Sequence, residues 1–334
     1  MATRRAFIKG LAASAFIGAC ATQPGSVRPS PRVRRIGWIS GNAIAPTKER
    51  SLPFFERMGE LGYVRGRDFD VEWQIADTKI DRLPAMAAEL LAPPVDLIVA
   101  EAKEAQTAAH LATATIPIVF VLSADPLAAG FVASIDHPGG NMTGTKTGSI
   151  PASEKRVELL KDTVRGLARL AVLWNGNDPG MLTTIVPATA GAARTLKIET
   201  TTVFPVRNLT ELDMTLERIA RDRFDAVVVL SAESVVEGRL DRVSEFANKV
   251  GIPQVYADES MVRAGGLMSL NSNRASQFRR TADFVDKIFN GALPGDLPVE
   301  EPTQFDLIIN LTAVQKLGLT LPQSVLARAT ELIH

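Results

Sequence analysis

The chain has 334 residues, 46% hydrophobic and 22% charged, a composition typical of packed globular proteins rather than fibrous or disordered ones. This length exceeds what one hydrophobic core usually serves, so two domains are expected. Lys plus Arg and Asp plus Glu each number 37, and the resulting zero net charge argues against nucleic acid as a partner.

Residues 1–20 have the pattern of an export signal. A twin-arginine pair in TRRAFIK (3–9) precedes an apolar run at 11–19, which is shorter than the roughly 20 residues needed to span a bilayer. The only cysteine, Cys20, ends the sequence IGAC, which resembles the lipobox of bacterial lipoproteins. We therefore expect export and lipidation at Cys20; the alternative is a chance thiol in a signal that is cleaved elsewhere.

Residues 21–34 contain three prolines among Gly, Ser and Arg, and this mixture predicts a disordered tether. Because the chain has no second cysteine, disulfides and cysteine catalysis are excluded from the mature protein.

From residue 35 onward, short β-rich apolar runs alternate with amphipathic helical stretches, which predicts βαβ units and parallel sheets. The predicted strands lie at 36–39, 71–75, 97–100 and 116–122, and again at 170–174, 201–204, 226–230 and 253–256. The strand at 71–75 alternates apolar and polar residues, which is typical of a sheet edge. The repetition at an offset of roughly 130 residues predicts two similar lobes, too widely spaced for a solenoid.

A strand at 267–270, a helix at 274–290 and a strand at 305–310 follow the two repeats, and we expect the chain to recross between lobes there. The predicted domains are lobe 1 at 35–148 and 265–299, and lobe 2 at 149–264 and 300–334.

Several segments carry a family resemblance when they are taken together and in order. They are ELGYVRGR (60–67), TIPIVFV (115–121), ADP (124–126), AGFV (129–132), PGGNMTG (138–144), AGGLMS (264–269), DLPVE (296–300), FDLIINL (305–311) and LGL (317–319). From about residue 35 to the C-terminus, the chain resembles bacterial ABC-transporter substrate-binding proteins, a family that includes tryptophan-binding members. The resemblance implies a type I periplasmic-binding fold, α/β, with two Rossmann-like lobes joined by a hinge.

The same resemblance implies a monomer that captures a small solute, such as an amino-acid-like molecule, between its lobes and delivers it to ABC permease and ATPase subunits. A binding protein that signals to a membrane partner is an alternative, which the neighbouring genes would distinguish. Catalysis is disfavoured because the chain has only His110, His137 and His334 as imidazoles, and they form no recognisable set. No Gly-rich phosphate loop or metal motif indicates a cofactor.

In open parallel sheets, ligands bind beyond the carboxyl ends of the strands. This rule selects polar and small residues from both lobes, although each could instead be a helix cap or turn residue. The candidates are Ser40, Gly41, Asn42, Glu101, Ala102, Lys103, Ser123, Asp125, Asn141 and Thr143 in lobe 1, and Asn175, Ser231, Glu233 and Asp258 in lobe 2.

The sequence departs from its apparent relatives at Glu101-Ala102-Lys103, where they usually have Ser-Gly-Thr. One interpretation is an altered pocket, in which Lys103 meets a ligand carboxylate and Glu101 an ammonium group. The other is a Glu101–Lys103 pair at a solvated loop. Either way, an aromatic amino-acid ligand does not transfer from the family.

Overall fold

The structure is a computed structural model that describes residues 32–230 and 241–334. Cys20, the predicted signal, residues 21–31 of the predicted tether, and the candidates Ser231 and Glu233 lie outside the described residues. The last residue assigned to the tether, Arg34, begins the first strand.

Two sheets organise the described residues. The first has the order β2-β1-β3-β4-β5 and the second β12-β11-β10-β9-β8-β6-β7. The strands of the first sheet are β1 Arg34–Ser40, β2 Phe69–Ile75, β3 Leu97–Glu101, β4 Ile118–Ser123 and β5 Met142–Lys146. Those of the second are β6 Arg169–Asn175, β7 Thr200–Val206, β8 Ala226–Val229, β9 Gln254–Tyr256, β10 Met268–Ser272, β11 Phe305–Asn310 and β12 Glu331–Ile333.

All strand pairs in the first sheet are parallel, and in the second only β10 and β11 pair antiparallel. The predicted α/β class is therefore confirmed. The strand β2 lies at a sheet edge, as its alternating sequence predicts. The strand β5 was not predicted, because MTGTK lacks an apolar run and follows a turn-forming PGGN sequence.

Helices cover both faces of each sheet. The α-helices are α1 Ile44–Arg50, α2 Leu52–Glu60, α3 Leu83–Glu89, α4 Lys103–Ala112, α5 Ser149–Thr163, α6 Pro179–Thr183, α7 Ile185–Thr195, α8 Leu209–Arg221, α9 Asp241–Val250, α10 Glu259–Arg263, α11 Arg274–Phe289, α12 Leu311–Lys316 and α13 Gln323–Leu326. Short 3₁₀ turns occur at Ile80–Arg82 and Pro294–Asp296.

Burial on both faces explains why the strands read as nearly continuous apolar runs. In β1, Trp38 packs with Phe54 of α2 and Phe278 of α11, whereas its neighbour Ile39 packs in a separate cluster with Leu83 of α3. The second sheet likewise separates a cluster around α5 and α7 from one around α8 and α9.

The strand β10 corrects the predicted domain boundary at residue 265. It pairs with β9 and β11 in the second sheet, while the following helix α11 packs against the first sheet through Phe278 and Val285. The crossing therefore lies between Ser272 and Arg274. An apolar strand is compatible with either sheet, so only the pairing decides its lobe.

Three crossings join the lobes within the described residues, after β5, after β10 and before β11. They are hydrogen-bonded to one another: the Ser272 hydroxyl donates to the Thr147 carbonyl over 2.7 Å, and the Asn273 amide donates to the Gln304 carbonyl over 2.9 Å. Gly148, with φ of 66°, packs so closely on Pro302 that a β-carbon would overlap the proline ring. The three crossing segments therefore form one connected hinge.

Candidate functional site

Two adjoining cavities open at the carboxyl ends of the strands, one on each lobe. The cavity on the lobe 1 side has a volume of about 280 Å³. Its lining residues are Asn42, Arg50, Glu101, Ala102, Leu122, Thr147, Ser149, Asn271, Ser272 and Arg274. Residues in or just after β1, β3, β4 and β5 converge here because parallel strands end at the same edge of a sheet, and residues of β10 join them from the second sheet.

Glu101 is the buried charge of the lobe 1 wall, with 3% of its surface exposed. Its Oε1 accepts hydrogen bonds from Asn42 Nδ2 and Arg50 Nη2, both at 3.2 Å, and its Oε2 accepts one from the Ser40 hydroxyl at 3.3 Å. Arg50 retains 29% side-chain exposure, so this ion pair is only half desolvated. Glu101 is therefore neutralised and hydrogen-bonded within its own lobe.

Ala102 follows Glu101 with φ of 76° and ψ of 147°, a conformation that is nearly restricted to glycine. The glycine usual in the apparent relatives would adopt it without strain. Lys103 begins α4, lies exposed, and forms no ion pair with another described residue. The predicted Glu101–Lys103 pair is therefore not formed, and Glu101 pairs with Arg50 instead.

The cavity on the lobe 2 side is smaller, about 180 Å³, and contains a buried arginine. Its lining residues are Ser149, Arg156, Ile185, Val229, Leu230, Tyr256, Ala257, Asp258, Met261, Asn271 and Arg274. The Arg156 side chain comes from α5 and is 2% exposed, and its Nε donates to the Leu270 carbonyl over 2.7 Å. Burial lowers the pKa of this guanidinium to about 9, so it stays charged at neutral pH.

Ser149, Asn271 and Arg274 line both cavities, which therefore form one cleft. They lie at the crossings between the lobes, at the start of α5, the end of β10 and the start of α11. Any closure of the lobes about these crossings would change the distance between Glu101 on one wall and Arg156 on the other.

Comparison with known proteins decides the family. The family model described as ABC transporter substrate binding protein matches residues 48–333, which include both lobes. This chain belongs to the ABC transporter substrate binding protein family. The family predicted from the sequence is thereby confirmed.

The relatives agree on the architecture. A tyrosine-binding protein of Clostridioides difficile strain R20291 is 23% identical over 303 residues, which span 90% of this chain and 86% of the relative. The ligand-free, open structure of a substrate binding protein with adhesive properties from Clostridium difficile matches with a TM-score of 0.79 at 24% identity, covering 90% and 99% of the two chains. An ABC domain in complex with L-Trp from Streptococcus pneumonia matches at 0.71 and 23% identity, covering 90% and 100%. The type I periplasmic-binding fold is thereby confirmed.

Only some of the predicted site residues of this family member reach the cleft. Asn42, Glu101, Ala102 and Asp258 line it, and Ser40 lies behind Glu101 as a hydrogen-bond donor. Gly41 is buried beside Ala102 and lines neither cavity. Asp258 also accepts the Ser260 amide as the N-cap of α10 over 2.7 Å.

Other candidates have structural contacts away from the cavities. The Asn141 side-chain amide donates to the Ile116 carbonyl over 2.8 Å, at the amino end of β5, and the Thr143 hydroxyl donates to the Leu297 carbonyl over 2.7 Å. Asp125 caps a turn by accepting the Ala128 amide. Ser123 and Asn175 are buried at the ends of β4 and β6 and line neither cavity.

Sequence reasoning missed three arginines of the cleft, and it also missed Asn271. Arg274 and Asn271 follow a predicted strand, so the rule of strand ends finds them once it is applied to 267–270. Arg156 had a different signal, because it lies four residues after Ala152 and four before Leu160 on the buried face of a helix. Arg50 had no such signal, since its pairing with Glu101 depends on tertiary contact.

Between residues 32 and 230 and between 241 and 334, no cluster of His, Cys, Asp or Glu is arranged to hold a metal ion. In the same ranges, no helix has the length and apolar character required to cross a membrane.

Proposed function

We propose that this chain is the extracytoplasmic solute receptor of an ABC importer. It holds one small solute in the cleft between its lobes and presents the closed complex to a membrane permease, which an ATPase subunit drives. The solute undergoes no covalent change, and the protein works as a monomer.

The observation that carries the proposal is the shared cleft. Polar groups from both sheets converge on it, and three of its lining residues lie at the crossings that join the lobes. A solute that bridges both walls stabilises the closed arrangement only through contacts made there, which is how a clamp couples binding to shape. The relatives that bind tyrosine and L-Trp support a solute of amino-acid size.

A binding screen combined with solution scattering tests this function. Purified protein is mixed with amino acids, organic acids, amides and sugars, and the thermal midpoint is recorded. A ligand at a hundredfold excess over its Kd stabilises the fold by about 2.7 kcal/mol, which is readily detected. The radius of gyration should then decrease with the ligand that binds. A bound ligand that leaves it unchanged would contradict the clamp.

We further propose that the mature protein is exported to the periplasm or to the outer face of the cytoplasmic membrane. Lipid on Cys20 then anchors it to a membrane. Cys20→Ser removes the thiol that would carry the lipid, so the variant should move from the membrane to the soluble fraction. Wild-type protein from its native host without N-terminal lipid mass would contradict the anchor and leave solute binding untouched.

A further inference from the structure

Arg156 is a buried charge that has no counter-charge among the residues the structure describes. Within residues 32–230 and 241–334, its Nε alone has a hydrogen bond, to a backbone carbonyl, and no carboxylate lies within ion-pair distance of it. The guanidinium has five N–H donors, and its terminal nitrogens form no hydrogen bond with a described residue. These donors border the 180 Å³ cavity, which is large enough for a small functional group.

Burial of this guanidinium costs free energy unless an anion or further hydrogen-bond acceptors compensate it. Removing an ion from water costs several kcal/mol in a protein interior, and an isolated backbone carbonyl compensates only a part. The lowered pKa of Arg156 has the same cause, loss of hydration without a neighbouring anion. A ligand oxyanion in the cavity would supply both the charge and the acceptors that the described residues do not provide.

The surroundings of the cavity favour an anion as well. Arg274 lines it from the start of α11, where the helix dipole disfavours a cation, and its guanidinium has no ion pair with a described residue. Asp258 is the acidic group among the described lining residues, and one of its oxygens is engaged as a helix cap. Among the described lining residues, two guanidinium groups therefore face one carboxylate, an excess of one positive charge.

We propose that the solute carries a carboxylate and that Arg156 binds this group in the lobe 2 cavity. The inference rests on the function proposed above and names the chemical class of the solute. Arg156 offers the paired N–H donors that match the two carboxylate oxygens, and a monoanion balances the excess positive charge of the described lining residues. Arg274 approaches the same group from the crossing between lobes, and the remainder of the solute extends toward Asn42 and Arg50.

Matched pairs of probes test the inference without any mutation. L-Tyrosine, L-tryptophan, L-leucine, L-glutamine and succinate are compared with their primary amides by thermal shift and calorimetry, with inorganic phosphate as a separate arm. At least one acid should bind, and its amide should bind roughly 10- to 100-fold more weakly, as expected when a charged hydrogen-bonding group is lost. Small molecules released from the gently purified protein should include a carboxylate.

Variants then assign the contact to a residue. Arg156→Met should weaken the bound acid roughly 10- to 100-fold, and Arg274→Gln, at an exposed position, about 3- to 10-fold. Lys161→Met is the matched control, because Lys161 is a cation on the same helix that also donates to a backbone carbonyl, that of Leu167, and does not line the cavity. If Arg156→Met fails to fold, the acid–amide comparison and the Arg274→Gln variant still test whether a carboxylate is bound in this cavity.

The outcomes separate the two proposals. An acid and its amide that bind equally, an Arg156→Met variant that binds the acid within twofold of the wild type, or a released solute without a carboxylate would each overturn the inference and leave solute capture intact. Binding of phosphate with no binding of any acid would also overturn it. If no probe binds, charged or neutral, and no small molecule is released, both proposals fail.

Discussion

The two walls of the cleft each hold a buried charge, but the two charges differ in how many hydrogen bonds they form. Glu101 in lobe 1 receives three hydrogen bonds from Ser40, Asn42 and Arg50. Arg156 in lobe 2 has one with the described residues, from its Nε to a backbone carbonyl. A buried charge that is satisfied by its own lobe supports that lobe, whereas one left incomplete is available to a ligand. The Glu101 network is complete within the lobe 1 wall, and our proposal assigns charge recognition to the lobe 2 wall.

The largest effect is expected when the finished network is broken. Glu101→Leu should lower the free energy of unfolding by about 3 kcal/mol, because Arg50 and Asn42 lose their shared acceptor inside a packed wall. Urea denaturation measures it. Glu104→Leu, at an exposed position of α4, should cost less than about 1 kcal/mol. A Glu101→Leu variant as stable as the Glu104→Leu control would mean that the network does not support the lobe.

A second change leaves both charges in place and strains the crossing between the walls. Gly148→Ala places a β-carbon at positive φ and against the Pro302 ring, so we expect a loss of about 2 to 3 kcal/mol in unfolding free energy.

The control is Gly166→Ala, which has φ of 76° but no atom near the new β-carbon. It should cost about 1 kcal/mol, and the difference between the two variants isolates the contact with Pro302. Equal losses would show that the crossing can adjust to the added carbon.

The strained residue of the lobe 1 wall provides a third test. Ala102→Gly should raise the free energy of unfolding by about 1 kcal/mol, because relief of the positive φ exceeds the extra entropy of glycine in the unfolded chain. Ala105→Gly, inside the helix α4 that follows and fully buried, should instead lower it by at least about 1 kcal/mol. Destabilisation by Ala102→Gly would contradict the assigned strain.

The smallest effect on stability is expected at Arg156, the buried charge of the lobe 2 wall. Arg156→Met should change the unfolding free energy of the ligand-free protein by less than about 1 kcal/mol. Relief of an unpaired buried charge offsets the lost hydrogen bond, and methionine occupies the space of the arginine stem. A loss above about 3 kcal/mol in the same urea titration would indicate that Arg156 is as structural as Glu101.

The order of apolar runs was enough to predict the α/β class, and the polar residues after them marked the sheet edge where the cleft opens, because both are local patterns. The family was predicted from the resemblance of several segments in order. The sequence also selected Glu101 and Ala102, which follow directly from the end of a predicted strand. Tertiary structure alone decided that Glu101 pairs with Arg50 and not with Lys103, that β10 belongs to the second sheet, and that Arg156 has no acidic neighbour among the described residues. Pairing and burial depend on residues far apart in the chain, so no local pattern could predict them.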